Sequence, residues 1–219
     1  MMLTVPVADY DASFRPARRG FQVTPQHEAA VAQLGAAPGD RVLDLGCGAG
    51  ELMSLLGAVG AKTIGVDYSR EALSVTKRAL PGAAILRGNA TSLPFPSASF
   101  DRVAALGVLG FLSPTDLRSA LRECARVLRP GGLLVICTGS PLNRIGWLLL
   151  TLRSGAWRRP QSRSNIYPAS TYVRELQRLG FSVASWRTWY GAGRGLRSRL
   201  LHPFMAPLWI RASLDASRR

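Results

Sequence analysis

The stretch Arg41-Val42-Leu43-Asp44-Leu45-Gly46-Cys47-Gly48-Ala49-Gly50-Glu51 decides the fold of this chain. Its first half, residues 41–45, is a short apolar run, as in a strand buried on both faces. The run stops at alternating glycines, and Glu51 to Val59 then reads as a helix. A strand that turns sharply into a helix opens a βα unit. Glycines permit the tight turn and let a ligand touch the backbone. The helix start offers unpaired N–H groups to a negative ligand group.

The same rhythm continues outward. Before the turn, Thr24 to Leu34 reads as a helix ending near Gly35. After it come a strand at Thr63–Asp67 with an acid at its end, a helix from Arg70 to Leu80 stopped by Pro81-Gly82, and a strand at Ala84–Arg87. Asp101 to Leu106 reads as a fourth strand. Ser113-Pro114-Thr115-Asp116 is a helix start, with a serine cap, proline at the first position and an acid in the first turn. Pro130-Gly131-Gly132 is expected to end that helix, and Leu133–Cys137 to form a fifth strand. A helix at Ser170–Leu179 and a strand at Phe181–Tyr190 follow. Leu200 to Leu214 reads equally as a last strand or a surface helix. Alternation of this kind predicts an α/β fold, a doubly wound and mostly parallel sheet covered on both faces. The organisation expected is a cap segment at 1–23, a core at 24–139, an insertion or lid at 140–168, and a basic C-terminal part of the fold at 169–219.

Composition narrows the setting. The first residues show no basic start followed by an apolar run, so no signal peptide is read. No stretch reaches the ~18 uninterrupted apolar residues of a membrane span. Three scattered cysteines argue for a reducing, cytoplasmic setting. No His/Cys cluster has metal-ligand spacing, so no metal is expected. The net charge is +15, and residues 140–219 contribute +12 of it, with 14 Arg against only Glu175 and Asp215. That imbalance suggests an anionic partner, either RNA or a membrane surface met peripherally at the inner face.

In an open parallel sheet the ligand sits at the C-terminal ends of the strands, where strand order reverses. Two ligand classes compete for the turn at Gly46. A dinucleotide fingerprint needs G-x-G-x-x-G to seat a pyrophosphate. Here the third glycine's position is Glu51, and Asp44 stands two residues before the first glycine. An acid there suits a ligand bearing an amino group and a sulfonium. Asp67, at the end of the next strand, suits a ribose diol in either class.

Residues 42–50 resemble the first motif of the class I S-adenosylmethionine-dependent methyltransferases, in particular their small "type 11" domains. Val66-Asp67-Tyr68-Ser69 is similar to the second motif, Gly88-Asn89-Ala90-Thr91-Ser92-Leu93-Pro94-Phe95 to the third-strand exit, and Leu128-Arg129-Pro130-Gly131-Gly132 to the turn before strand five. The resemblance covers residues 24–139 in order and 168–190 loosely. It implies a Rossmann-like fold of seven strands and S-adenosyl-L-methionine as cofactor. By position it implies that Asp44 binds the methionine amino group, that Gly46 and Gly48 pack on the ligand, and that Asp67 takes the ribose diol. It places Tyr68 beside the adenine, Asn89 and Ala90 at the adenine edge, and the backbone near Leu106 at the methionine end. Tyr10 resembles a tyrosine that closes over the cofactor. Asn89 departs from the family's commoner Asp, which predicts retained binding with altered contacts.

Methyl transfer from a sulfonium is an in-line displacement, so a base is needed only for a nucleophile that must lose a proton early. His27 and Tyr167 are the candidates, each read against a plainer role: a capping or surface histidine, and a packing aromatic. After strand four the stretch 107–112 holds no ionisable side chain, which suggests a hydrophobic acceptor. The leading expectation is a small acceptor that is lipophilic or lipid-linked. The alternatives are RNA methylation through the basic C-terminal third, and a methyltransferase-like module that binds without turnover.

Overall fold

The computed structural model describes residues 21–139, 165–188 and 207–217. Within them the strands are β1 Arg41–Leu45, β2 Lys62–Asp67, β3 Ala84–Arg87, β4 Phe100–Leu106, β5 Leu128–Thr138, β6 Phe181–Thr188 and β7 Leu208–Leu214. The helices are α1 Pro25–Leu34, α2 Glu51–Ala58, α3 Arg70–Ala79, α4 Pro114–Val127 and α5 Ala169–Arg178, with a 3-10 turn at Leu109–Phe111. One seven-stranded sheet runs in the order β3-β2-β1-β4-β5-β7-β6. Strands β1 to β5 are parallel, whereas β7 pairs antiparallel with both β5 and β6. The doubly wound α/β sheet read from the sequence is therefore present, and β7 makes it mixed. Tyr10 and most of the expected insertion at 140–168 lie outside the described residues.

Each face of the sheet buries its own layer, as the two-residue period of a strand requires. Leu43, Val103, Leu134 and Ile136 pack toward α4 and α5, against Leu117, Leu121, Tyr172 and Leu176. Val42, Ala104, Val135, Cys137 and Trp209 pack toward α1 and α2, against Leu34, Leu52 and Leu56. The ambiguity at 200–214 resolves as a strand over 208–214. Ile210 stands in register with Ile136 on one side and Trp186 on the other. A strand covered on both faces has no polar stripe to announce it.

Pro130-Gly131-Gly132 does not separate α4 from β5, as the sequence led us to expect. Helix α4 ends at Val127 and the strand begins at Leu128, with the Pro-Gly-Gly carried inside it as a bulge. Register on β4 passes from Phe100↔Leu128 to Arg102↔Leu133, so Asp101 alone lies opposite four residues. Gly131 adopts φ +77°, and a Cβ on Gly132 would lie 2.8 Å from Arg129 O and 3.1 Å from Asp101 O. Both glycines are demanded by that geometry. The Arg129–Asp101 ion pair, at 2.6 Å, brackets the bulge.

A second device holds the loop between β3 and β4. Arg126 on α4 donates to Phe95 O (2.7 Å), to Leu93 O (2.9 Å) and to both oxygens of Glu123. Glu123 in turn accepts from Leu93 N at 2.6 Å, and its pairing with Arg126 holds its carboxyl below the usual range. Removing the guanidinium strands two carbonyls and a partly buried carboxylate. Arg126→Ala should cost about 2 kcal/mol in urea denaturation, on the scale of hydrogen bonds to charged groups. Arg126→Lys should recover only part of the loss, because a single ammonium cannot span the same three acceptors.

Candidate active site

The sheet order sets four strand exits side by side: β3, β2, β1 and β4. They bring Asn89, Asp67, Asp44 with the glycine turn, and Leu106 into one row. The turn is built on its own main chain. Val66 O accepts from both Gly46 N (2.7 Å) and Cys47 N (3.1 Å), and Thr76 Oγ1 on α3 donates to Gly48 O at 2.6 Å. Gly46 has φ +76°, and a Cβ there would lie 2.6 Å from Val108 Cβ. The turn thus passes hard against the exit of β4, where no side chain fits.

Asp44 is the unusual group. It is 2% exposed, and its neighbours in register are Gly65 on β2 and Ala104 on β4, neither with a polar side chain. Its Oδ2 is buried with no hydrogen-bond partner. Burial first, then the charges of Asp67 and Glu51, push its carboxyl up to about 8. A buried carboxylate oxygen without a partner is costly, and a cationic group placed against it would remove the penalty. Asp67 is also buried, with Oδ2 accepting from Gly48 N and Oδ1 from Ser69 N, both at 2.9 Å. Its orientation is therefore set by the turn itself.

The remaining residues of the row lie outward from these two. Tyr68 is exposed, with the Arg87 guanidinium 5.6 Å above its ring and Arg87 Nε donating to its carbonyl. Asn89 Oδ1 accepts from Thr91 N at 3.0 Å, so the side-chain amide closes a local turn and leaves its NH2 end outward. Ala90 is buried behind it. At the exit of β4, Leu106 is half-buried and Gly107 N donates to Cys137 O at 2.7 Å.

The two candidate bases are otherwise engaged. His27 Nδ1 accepts from Thr24 N at 3.1 Å, closing the cap of α1. That bond leaves the ring proton on Nε2, so the ring has no free basic nitrogen while the cap stands. Burial lowers its pKa, against the opposing pull of Glu51. Tyr167 is buried against Tyr172 and donates its hydroxyl to Leu112 O at 2.7 Å, beside Asn165 Nδ2 at 2.9 Å on the same carbonyl. Burial chiefly, and Asp116 next, raise its phenol further. The sequence also gave no hint that Gln22 N would donate to Glu51 Oε1 at 3.2 Å, or that Gln26 would reach Cys137 Sγ at 2.9 Å.

A strand–glycine turn–helix with an acid before the turn and another at the neighbouring strand exit defines a nucleoside-binding α/β domain with a place for a cation. The orphaned Asp44 oxygen and the glycine cradle fit the ammonium and backbone of S-adenosylmethionine. Residues 43–136 match the family model described as "Methyltransferase domain", and the chain carries a class I S-adenosylmethionine-dependent methyltransferase domain. It is 44% identical over 115 residues to a demethylmenaquinone methyltransferase of Mycobacterium sp. strain KMS, covering 52% of this chain and 48% of that one. It is 45% identical over 116 residues to a 2-phytyl-1,4-naphtoquinone methyltransferase of Synechococcus elongatus, covering 49% of each. The chain thus spans about half the length of these curated relatives. In fold it is like the S-adenosylmethionine dependent methyltransferase of Mesorhizobium loti, with a TM-score of 0.68 at 24% identity over 85% of this chain and 96% of that one.

The burial of Asp44 has a consequence for stability. Its folded-state pKa lies well above that of an ordinary carboxyl, so between about pH 4 and 8 the folded chain holds a proton that the unfolded chain has lost. Stability contributed by that proton is present at low pH and falls as pH rises toward about 8, then levels off. Asp44→Asn removes the dependence. Thermal melts should show the variant more stable than the wild type at pH 8 and above, with the gap closing toward pH 4.

Proposed function

We propose that this chain transfers the methyl group of S-adenosylmethionine to a small lipophilic acceptor of the quinone type. The observation that carries the acceptor class is the wall at the exit of β4. Residues 107–112 offer no ionisable side chain, Leu109 is fully buried, and Val108 and Leu112 pack on the core while remaining partly open. Relatives alike over this same core are named for naphthoquinone-type substrates.

In this reading Asp44 meets the ammonium of the cofactor and Asp67 the ribose diol. Gly46 and Gly48 lie against the ligand, with Tyr68, Asn89 and Ala90 around the base and the backbone near Leu106 at the methionine end. Tyr10 would close over the site from the segment outside the described residues. When bound, S-adenosylmethionine supplies a methyl group already activated on sulfur. The chain's part is alignment, which can account for ~7–11 kcal/mol of barrier. With His27 held in a cap and Tyr167 donating to Leu112 O, neither serves as a positioned base. That favours an acceptor bringing its own electron-rich centre, as a reduced quinone ring does. Among the described residues no helix is long and apolar enough to cross a membrane.

Two experiments test this. Purified protein with labelled cofactor, offered reduced prenyl-naphthoquinone in micelles beside bulk RNA, should place the label in the organic phase. Label in the RNA would overturn the acceptor class. In calorimetry, Asp67→Ala should weaken cofactor binding about a hundredfold, as loss of two charge-assisted hydrogen bonds predicts; unchanged binding would remove Asp67 from the site. Wild-type affinity should also rise with pH up to about 8 and release a proton, because a cationic ligand selects the ionised Asp44 carboxylate.

A further inference from the structure

The stretch that walls the exit of β4 is held at both ends. At its near end Val108 lies against the glycine turn, where a Cβ on Gly46 would come within 2.6 Å of Val108 Cβ. A 3-10 turn follows, with Phe111 N donating to Val108 O at 3.1 Å and Leu112 N to Leu109 O at 3.3 Å. At its far end the chain enters α4, whose first main-chain bond falls on Ser113 O, from Leu117 N at 2.8 Å. Leu112 O stands one residue before that bond and takes its donors from elsewhere. Two side chains from more than 50 residues later supply them: the Tyr167 hydroxyl at 2.7 Å and Asn165 Nδ2 at 2.9 Å. Their segment runs beside the exit of β5, where a Cβ on Gly139 would meet Ile166 Cγ1 at 3.9 Å. Tyr167 is itself held in place. Its ring is buried and meets the fully buried ring of Tyr172 on α5 edge-on, with centroids 6.1 Å apart.

Resting on the acceptor reading, we propose that Asn165 and Tyr167 are positioning residues: by gripping Leu112 O together, they set the acceptor wall against the cofactor turn. Two donors on one carbonyl fix the direction and the tilt of the peptide between Leu112 and Ser113. The side chain of Leu112, partly open toward the site, is oriented with it. The 3-10 turn carries the constraint back to Val108, and Val108 already meets the glycine turn. The wall is then a short brace between the cofactor turn and the segment beside β5. In-line methyl transfer depends on the distance and angle between the attacking centre and the methyl, and a misplacement of about 1 Å costs about a hundredfold in rate. A wall tied only at Val108 would let a flat apolar acceptor tilt. Both residues act through Leu112, so their effect falls on the acceptor and not on the cofactor.

The test is steady-state kinetics with reduced prenyl-naphthoquinone in micelles, beside calorimetry of S-adenosylmethionine. Tyr167→Phe keeps the ring against Tyr172 and removes only the donor. It should raise the KM for the acceptor about fivefold and lower kcat about threefold, with the Kd of the cofactor changed less than about twofold. Asn165→Ala should act in the same direction. The double variant should lose more than the product of the single effects, because either donor alone still holds the carbonyl. Cofactor affinity falling in step with acceptor kcat/KM would overturn the proposal. So would a lowered Tm with acceptor kinetics unchanged, which would make both residues structural. Single effects that simply multiply would overturn the shared grip. Wild-type protein that binds the cofactor yet leaves the naphthoquinone unmethylated would instead overturn the acceptor reading, and the positioning role with it.

Discussion

One main-chain carbonyl organises the site. Val66 O, at the end of β2, accepts from two successive N–H groups of the turn that follows β1. With both N–H groups committed there, the next one, of Gly48, turns to the Asp67 carboxylate. The turn, its neighbour strand and the second acid become one rigid piece. Val108 closes the other side so tightly that only glycine fits at position 46. Three strand exits are thus held together, by main-chain hydrogen bonds, the Asp67 carboxylate and the Val108 side chain, before any ligand arrives. Preorganisation of this kind is what a reaction governed by alignment requires.

The cost of that arrangement is electrostatic. A buried carboxylate with an unpartnered oxygen, raised to a pKa of about 8 and flanked by two further acids, destabilises the empty fold. Functional sites carry such local defects, and the rest of the structure compensates for them. Here the compensation is visible in the two packed layers on either face of the sheet and in the Arg126–Glu123 pair, which pins the loop leading from Asn89 to β4.

What the sequence disclosed, it disclosed locally. The strand, the alternating glycines, Asp44 and Asp67 lie within 27 consecutive residues and carry their meaning in spacing alone. Where meaning depended on distant partners, it was hidden. The Arg126 guanidinium reaches carbonyls more than 30 residues away, and nothing in the helical pattern of α4 marks it out from the other arginines. His27 occupies the place of the usual Glu or Gln in a capping box, so the sequence offered its capping role only beside those of a surface residue and a base, and the bond to Thr24 N decides for the cap. The amide of Asn89 was open to several contacts until the structure showed its oxygen taken by Thr91 N. Pro130-Gly131-Gly132 has the composition of a loop, and only the pairing with β4 shows it to be a bulge inside a strand.

The placement of β7 bears on how the molecule is made. It follows β6 in the chain but lies between β5 and β6 in the sheet. During synthesis β6 leaves the ribosome with no neighbour to pair with, and β5 has an open edge, until residues 208–214 emerge. Exposed strand edges are templates for pairing with other chains. The Rossmann-like half can close early on local βα units, while the final third of the sheet waits for a single late strand. Translation speed and chaperone protection across that interval therefore act on this fold at one place, the gap that β7 fills.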